Sequence, residues 1–216
     1  MLRHRRLTFY CWLARLLPDL AFFNSWRVRM LRWAGANIGA RCQVSGSAII
    51  KGWGCLEIGD DVRIRDNVVI QVAGGEIRIG SRVLIGAMSL IESISEGQTA
   101  GHVIVGNDVD IMMSDIVSAN GSATVSIGDH CKIAQQVSIK ATHHEIDPMG
   151  DCIGGRYLFD DITLMDGTWV CAGATIIPGV RIGRRNVIAA GAVVTKDTPD
   201  GVLMAGVPAT IKKHYV

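Results

Sequence analysis

The run LMDGTWVCAGATIIPGVRIGRRNVIAAGAVV, residues 164–194, decides the fold. An apolar residue returns every six positions along it, at Leu164, Val170, Ile176, Ile182, Ile188 and Val194. Neither the 3.6-residue period of a helix nor two-residue alternation produces that step. Working outward toward the N-terminus, the step continues in sets of three: Ile127, Ile133, Ile139; Val105, Ile111, Val117; Ile79, Ile85, Ile91; Ile58, Ile64, Ile70; Ile38, Val44, Ile50. All twenty-one positions are Ile, Val or Leu. Glycine commonly follows the first member of a set, as in Ile38-Gly39, Ile58-Gly59 and Val105-Gly106, and a small or β-branched residue commonly sits four after an apolar one, as at Val62, Val68, Val109, Val137, Ala174 and Ala192. Each hexapeptide reads as a short strand plus a turn with its apolar residue inward. Three close one triangular coil, and seven coils stacked at about 4.8 Å give a prism roughly 34 Å tall.

The interruptions carry the second message. Beyond six, the extra residues between successive sets number 2, 3, 8, 4 and 19, then none between Ile176 and Ile182. All fall after the third member of a set, so every insertion leaves from one corner of the prism. The longest, residues 140–163, contains KATHHEIDPMGD (140–151), two adjacent histidines in a polar, turn-rich segment. Loops projected from one edge of a rigid scaffold are where function is expected.

Composition bounds the rest. With 216 residues, 49% hydrophobic and 19% charged, the chain suits one globular domain with a small appendage, and 25 Gly against 5 Pro points to many tight turns. Residues 1–37 hold seven Arg against one Asp, a local +6 that leaves −4 on the remainder of a chain whose net charge is +2. No further basic patch follows, which argues against nucleic acid as a partner. The six cysteines form no CxxC pair, so reduced thiols are expected, with Cys42 and Cys131 in a small-residue slot of the repeat. Arg15, Pro18 and Asp19 interrupt the apolar start, so neither a cleaved signal nor a transmembrane helix is expected. Residues 7–33 interleave Trp12, Leu16, Leu20, Phe22, Trp26, Met30 and Trp33 with arginines and read as two amphipathic helices broken near Pro18 and Asn24. Such an arm either caps the exposed end of the first coil or lies on an anionic membrane surface, and the two roles are compatible.

Four segments, in this order, carry a family resemblance: ATHHEIDP, GTWVCAGATIIPGVRIG, AAGAVVTKD and LMAGVPATIKK. From about residue 38 to its end the chain resembles the hexapeptide-repeat acyltransferases, and among them the sugar O-acetyltransferases of the maltose, galactoside and colanic-acid type. The resemblance implies an all-β fold, a left-handed parallel β-helix of about seven coils working as a homotrimer, with acetyl-CoA as acyl donor and no metal. The expected division is a helical arm at 1–37, the β-helix at 38–198 with its active-site loop at 140–163, and a C-terminal segment at 199–216.

The family's catalytic histidine stands five residues past the last inward position of its coil. Counted from Ile139 this is His144, followed by EIDP with the maltose-type spacing; a register that reads TH as the motif selects His143 instead. A third reading makes both histidines caps of a solvated loop. Imidazole titrates near neutrality and suits removal of a hydroxyl proton during acyl transfer. Backbone N–H groups around Cys171 to Ala174 are candidates to stabilise the oxyanion, and Glu145 or Asp147 to orient the imidazole. By position, Trp169, Ala172, Ala190, Thr195 and Lys196 match family residues that contact the donor, and Lys213 matches a basic residue near its phosphates. The acceptor-side positions are Met112, Asn120 and Asp147. Met112 replaces an Asn and Asn120 an Asp of the galactoside and maltose enzymes, so the acceptor should differ from theirs.

The expected function is transfer of acetyl to a sugar hydroxyl in surface polysaccharide or lipid-linked oligosaccharide synthesis, in the cytoplasm or at the inner membrane face. The alternatives are an amino-sugar N-acetyltransferase, a metal-dependent hydratase built on His102, His130 and the 143/144 pair, and a non-enzymatic scaffold.

Overall fold

The computed structural model describes residues 10, 12–14, 16–18, 20–146 and 156–215. The protein is a left-handed parallel β-helix with a helix at its N-terminal end. Strand register joins equivalent members of successive sets. Ile38, Ile58, Ile79, Val105, Ile127, Leu164 and Ile182 pair down the first face. Val44, Ile64, Ile85, Ile111, Ile133, Val170 and Ile188 pair down the middle face. Ile50, Ile70, Ile91, Val117, Ile139, Ile176 and Val194 pair down the third. All twenty-one side chains are buried in one continuous core, so each coil supplies the apolar cover its neighbour needs.

Steric approach between coils explains the glycine that follows six of the seven first members, Leu164-Met165 being the exception. A Cβ on Gly39 would stand 2.3 Å from Asp60 Oδ1 and 2.5 Å from the Gly59 backbone; on Gly106 it would stand 2.4 Å from Asp129 Oδ1. The oxygens it would strike have a task at this corner. The Ala40 N–H donates to Asp60 Oδ1, Ser81 N–H to Asn107 Oδ1, Asn107 N–H to Asp129 Oδ1, and Arg184 N–H to Asp200 Oδ1. A short polar side chain in one coil thus satisfies a turn amide of the coil before it.

The insertions leave from the corner between the third and first faces, in three forms. The two shortest are absorbed without a loop: strands Ile49–Ile58 and Val69–Ile79 run through the corner with register shifts at Trp53/Cys55 and Ala73/Gly74. The eight-residue insertion makes a small hairpin in which Ser95 pairs with Ala100 and Glu96 with Thr99. The longest begins and returns as an antiparallel pair, Thr142–His144 against Tyr157–Phe159.

At the N-terminal end, α1 (Ala21–Ala34) caps the first coil. It is one helix, and the expected break near Asn24 is absent. Asn24 points back onto the prism instead, donating to Cys42 O and accepting from Val44 N–H, both at 2.9 Å. Val28, Leu31 and Ala34 are buried. Arg27 is 2% exposed and donates to the carbonyls of Val44, Ala14, Leu17 and Pro18. Arg32 donates to Ile38 O and Gly39 O. Side chains of the helix therefore take the place of a preceding coil at this sheet edge. Gly35, in the left-handed region at φ 109°, ends the helix, and Ala36 N–H returns to Leu31 O. At the other end, Val202–Gly206 adds a rung to the middle face with Met204 inward, and Ala209–His214 folds back along it antiparallel.

Candidate active site

The alternation of the hairpin Thr142–His144 / Tyr157–Phe159 fixes where the histidines stand. His143 pairs with Leu158 and His144 with Tyr157. The His144 ring lies against the Tyr157 ring, centroids 4.4 Å apart, and Tyr157 stacks in turn on Phe159 at 6.4 Å. Phe159 rests on the corner of the preceding coil: a Cβ added at Gly121 would meet its ring at 2.6 Å. An aromatic column thus runs from the prism to His144. His143 takes a different neighbour, with its Nδ1 3.7 Å from Asp160 Oδ2. Glu145 does not orient an imidazole; its carboxylate binds the Arg156 guanidinium, Nε at 3.0 Å, and that hydrogen bond holds it below the usual carboxylate range. Asp147 lies outside the described residues. Tyr157, Phe159 and Asp160 carry no motif, and only their position just before the repeat resumes at Ile162 marks them.

The acceptor-side positions do not come together within one chain. Met112 sits at the corner between the middle and third faces, exposed beside Met113 and Met88. Asn120 sits at the insertion corner of the same coil, paired with Ile94. Its Oδ1 and the Thr142 Oγ1 are both buried without a hydrogen-bond partner at the root of the hairpin.

The donor-side positions fall into two groups. Trp169, 50% exposed, shares an outward column of the middle face with Lys213 through Val187 and Leu203, three strand spacings or about 14 Å away. Lys213 Nζ lies 5.4 Å over the Tyr215 ring. Ala172 and Ala190 follow that column at the corner to the third face, where Gly191 N–H donates to Ala172 O. Thr195 and Lys196 lie across the third face, at the corner that also carries the histidine hairpin two coils earlier. Of the four backbone donors expected around Cys171 to Ala174, three are engaged: Cys171 N–H with Ile188 O, Gly173 N–H with Gln135 O and Ala174 N–H with Cys171 O. Among the described residues the N–H groups of Ala172 and Ala190 donate to no backbone carbonyl, which leaves Ala172 as the unengaged backbone donor of those four.

The thiols are quiet. Burial raises Cys171 and pushes Cys131 up to about 11, so neither is a ready thiolate. His102 lies 3.4 Å from Glu76 and His130 3.7 Å from Asp108. Among the described residues no three metal-ligating side chains converge.

The profile of the family described as Bacterial transferase hexapeptide (six repeats) matches residues 161–196. The chain is 40% identical over 103 residues to a galactoside O-acetyltransferase of Escherichia coli K12, covering 43% of this chain and 48% of that protein. It is 35% identical over 89 residues to a galactoside O-acetyltransferase of Lactococcus lactis, covering 41% and 42%. The chain therefore spans less than half the length of these relatives. An N-acyltransferase from Bacillus cereus, solved with dTDP and 3-hydroxybutyryl-CoA, has the same fold, with a TM-score of 0.57 over 88% of both chains at 16% identity. The protein carries the hexapeptide repeat of bacterial transferases and is similar to the sugar O-acetyltransferases.

Proposed function

We propose that the protein transfers acetyl from acetyl-CoA to a sugar hydroxyl, with His144 as the base. One observation carries this reading. His144 stands on a hairpin braced by Tyr157 and Phe159, at the same prism corner as Thr195 and Lys196 two coils on, about 10 Å along the stack. The imidazole takes the acceptor's hydroxyl proton as its oxygen bonds to the acyl carbon, and the sulfur leaves with the electron pair of the thioester bond. In one chain the Ala172 N–H stands across the third face from His144, so a second copy would bring such a donor to the oxygen that gains charge. No protein nucleophile is needed, in keeping with the upward shift of the Cys131 and Cys171 thiols.

Acetyl-CoA fits the donor-side residues. Trp169 offers an exposed flat face, Ala172 and Ala190 offer small side chains beside open N–H groups, and Lys196 and Lys213 offer cations for phosphates. Acetyl-CoA supplies the activated acyl group; this chain supplies the base, the donor and the walls. Met112 and Asn120 stand apart in one chain, which supports a site completed by a second copy in a homotrimer. The acceptor is a sugar or glycan of surface polysaccharide or lipid-linked oligosaccharide synthesis, met in the cytoplasm or at the inner face of the membrane, where the basic arm suits peripheral contact. No helix among the described residues is long and apolar enough to cross a membrane.

Incubation of the full chain with acetyl-CoA and a panel of hydroxyl-only and amino sugars, followed by release of free thiol, tests the reading. Acceptor-dependent release with hydroxyl-only sugars is expected. Release with amino sugars alone would move the acceptor to an amine, and release with neither would remove the activity.

A further inference from the structure

Helix α1 is apolar on two sides. The inner side, Val28, Leu31 and Ala34, is spent on the first coil. On the outer side Phe22, Trp26, Arg29 and Trp33 recur at steps of four, three and four, one stripe of a helix. Phe22 is 73% exposed, Trp26 42% and Trp33 56%. A helix apolar on opposite sides belongs inside a protein or against lipid, yet this one forms the outer end of the prism. The stripe has a charged rim, with the Arg29 guanidinium 5.0 Å over the Trp26 ring.

A cleft of about 290 Å³ opens between the prism-facing side of α1 and the first two coils, lined from the helix by Leu20, Asn24 and Arg27 and not by the stripe. Arg27, Arg63 and Arg65 line it with one carboxylate, Asp66, which already accepts from Ser45 Oγ. The apolar Leu20 stands at its edge. The arm as a whole carries +6, while the rest of the chain carries −4. Among the described residues, Arg29 of α1 and Arg63 and Arg65 of the second coil are exposed cations at this aromatic end. Trp rings favour the boundary between hydrocarbon and head groups, and guanidinium groups favour anionic phosphates there.

We infer that the outer stripe of α1, with the exposed arginines of the second coil behind it, is a docking surface for an anionic phospholipid bilayer. Phe22, Trp26 and Trp33 enter the interface while Arg29, Arg63 and Arg65 meet head-group phosphates. This deepens the membrane placement proposed above, but does not depend on acyl transfer. Vesicle binding is read without acetyl-CoA or sugar, so failure of either reading leaves the other standing.

Flotation of the full chain with vesicles of phosphatidylcholine alone, or of equal parts phosphatidylcholine and phosphatidylglycerol, tests it. The chain should float with the mixed vesicles and not with phosphatidylcholine alone, and should be released by high salt. The R63Q and R65Q changes should each weaken binding about fivefold, at about 1 kcal/mol per cation near the surface. The F22E/W26E double variant should stay with the soluble fraction while melting like the parent, since both side chains lie outside the core. Inorganic phosphate should not elute the bound chain; elution by phosphate at matched ionic strength would make the cleft a free-anion site and overturn the bilayer. Equal flotation with both vesicles, or unchanged flotation of the double variant, would also overturn it. So would a parent that ignores vesicles and a double variant whose sedimentation coefficient drops, because the stripe would then be covered by a second copy.

Discussion

Asp115 is the least expected residue in the prism. It occupies an inward slot filled by Ser89 one coil before and Val137 one coil after, and it is 1% exposed. Its Oδ1 accepts from Val137 N–H at 2.8 Å, and its Oδ2 has no partner. Burial pushes the carboxyl up to about 7 from 3.8. The folded state thus holds the proton that the unfolded chain gives up near pH 4. Stability from this group is greatest below that pH, falls as pH rises toward 7, and is flat above it, a swing on the order of 4 kcal/mol. Asp115→Ser should remove the swing. Thermal unfolding from pH 4 to pH 8 should show the variant gaining on the parent as pH rises, by roughly a third of the swing at pH 5 and all of it at pH 8; parallel curves would show that Asp115 is not protonated in the fold. Tyr157 is the second residue whose part was not visible before the fold. Aromatic pairing contributes about 0.5–1.5 kcal/mol, so Tyr157→Ala should lower kcat about three- to tenfold, with Tyr157→Phe restoring it. A loss seen only in KM would make Tyr157 an acceptor contact and not a brace for His144.

At the scale of the element, the hexapeptide was legible because a stacked coil repeats its chemistry at a fixed step. Inward Ile and Val, the glycine at close approach and the small-residue slot each leave a trace every six residues. Gly59→Ala tests the reason for the glycine: its Cβ would stand 2.6 Å from Ser81 Oγ and 2.7 Å from the Gly80 backbone. A loss of about 1–3 kcal/mol in chemical denaturation is expected for that overpacking, and a neutral substitution would mean that the coils can separate. The arm was legible only in part. Its amphipathic pattern showed, but the pattern could not reveal that Asn24, Arg27 and Arg32 reach back to groups of the first coil, because those bonds join residues 6 to 20 positions apart. Asn24, a poor mid-helix residue by propensity, sits inside α1 because tertiary bonds hold it there. Arg27→Met would leave buried carbonyls unmet. Amide exchange in α1 should quicken about a hundredfold, the equivalent of about 3 kcal/mol, while the later coils remain protected.

Over the whole molecule, a rigid repeat sends insertions from one corner, and the longest of them carries the proposed base. That much followed from counting. The aromatic column holding His144, the pairing of His143 with Asp160, and the engagement of Glu145 by Arg156 did not follow, since they belong to an insertion outside the repeat where spacing carries no information. The separation of Met112 from Asn120 across the third face was equally hidden, because position along one coil does not say which corner of which copy completes a site. The central claim is that His144 and not His143 removes the acceptor proton. Rates of acetyl-CoA-dependent thiol release by His144→Ala and His143→Ala, each checked for parental sedimentation and melting, test it most directly. A loss of about 10²- to 10⁴-fold is expected for His144→Ala and nearly parental turnover for His143→Ala. The reverse order, or full activity in both, would contradict it.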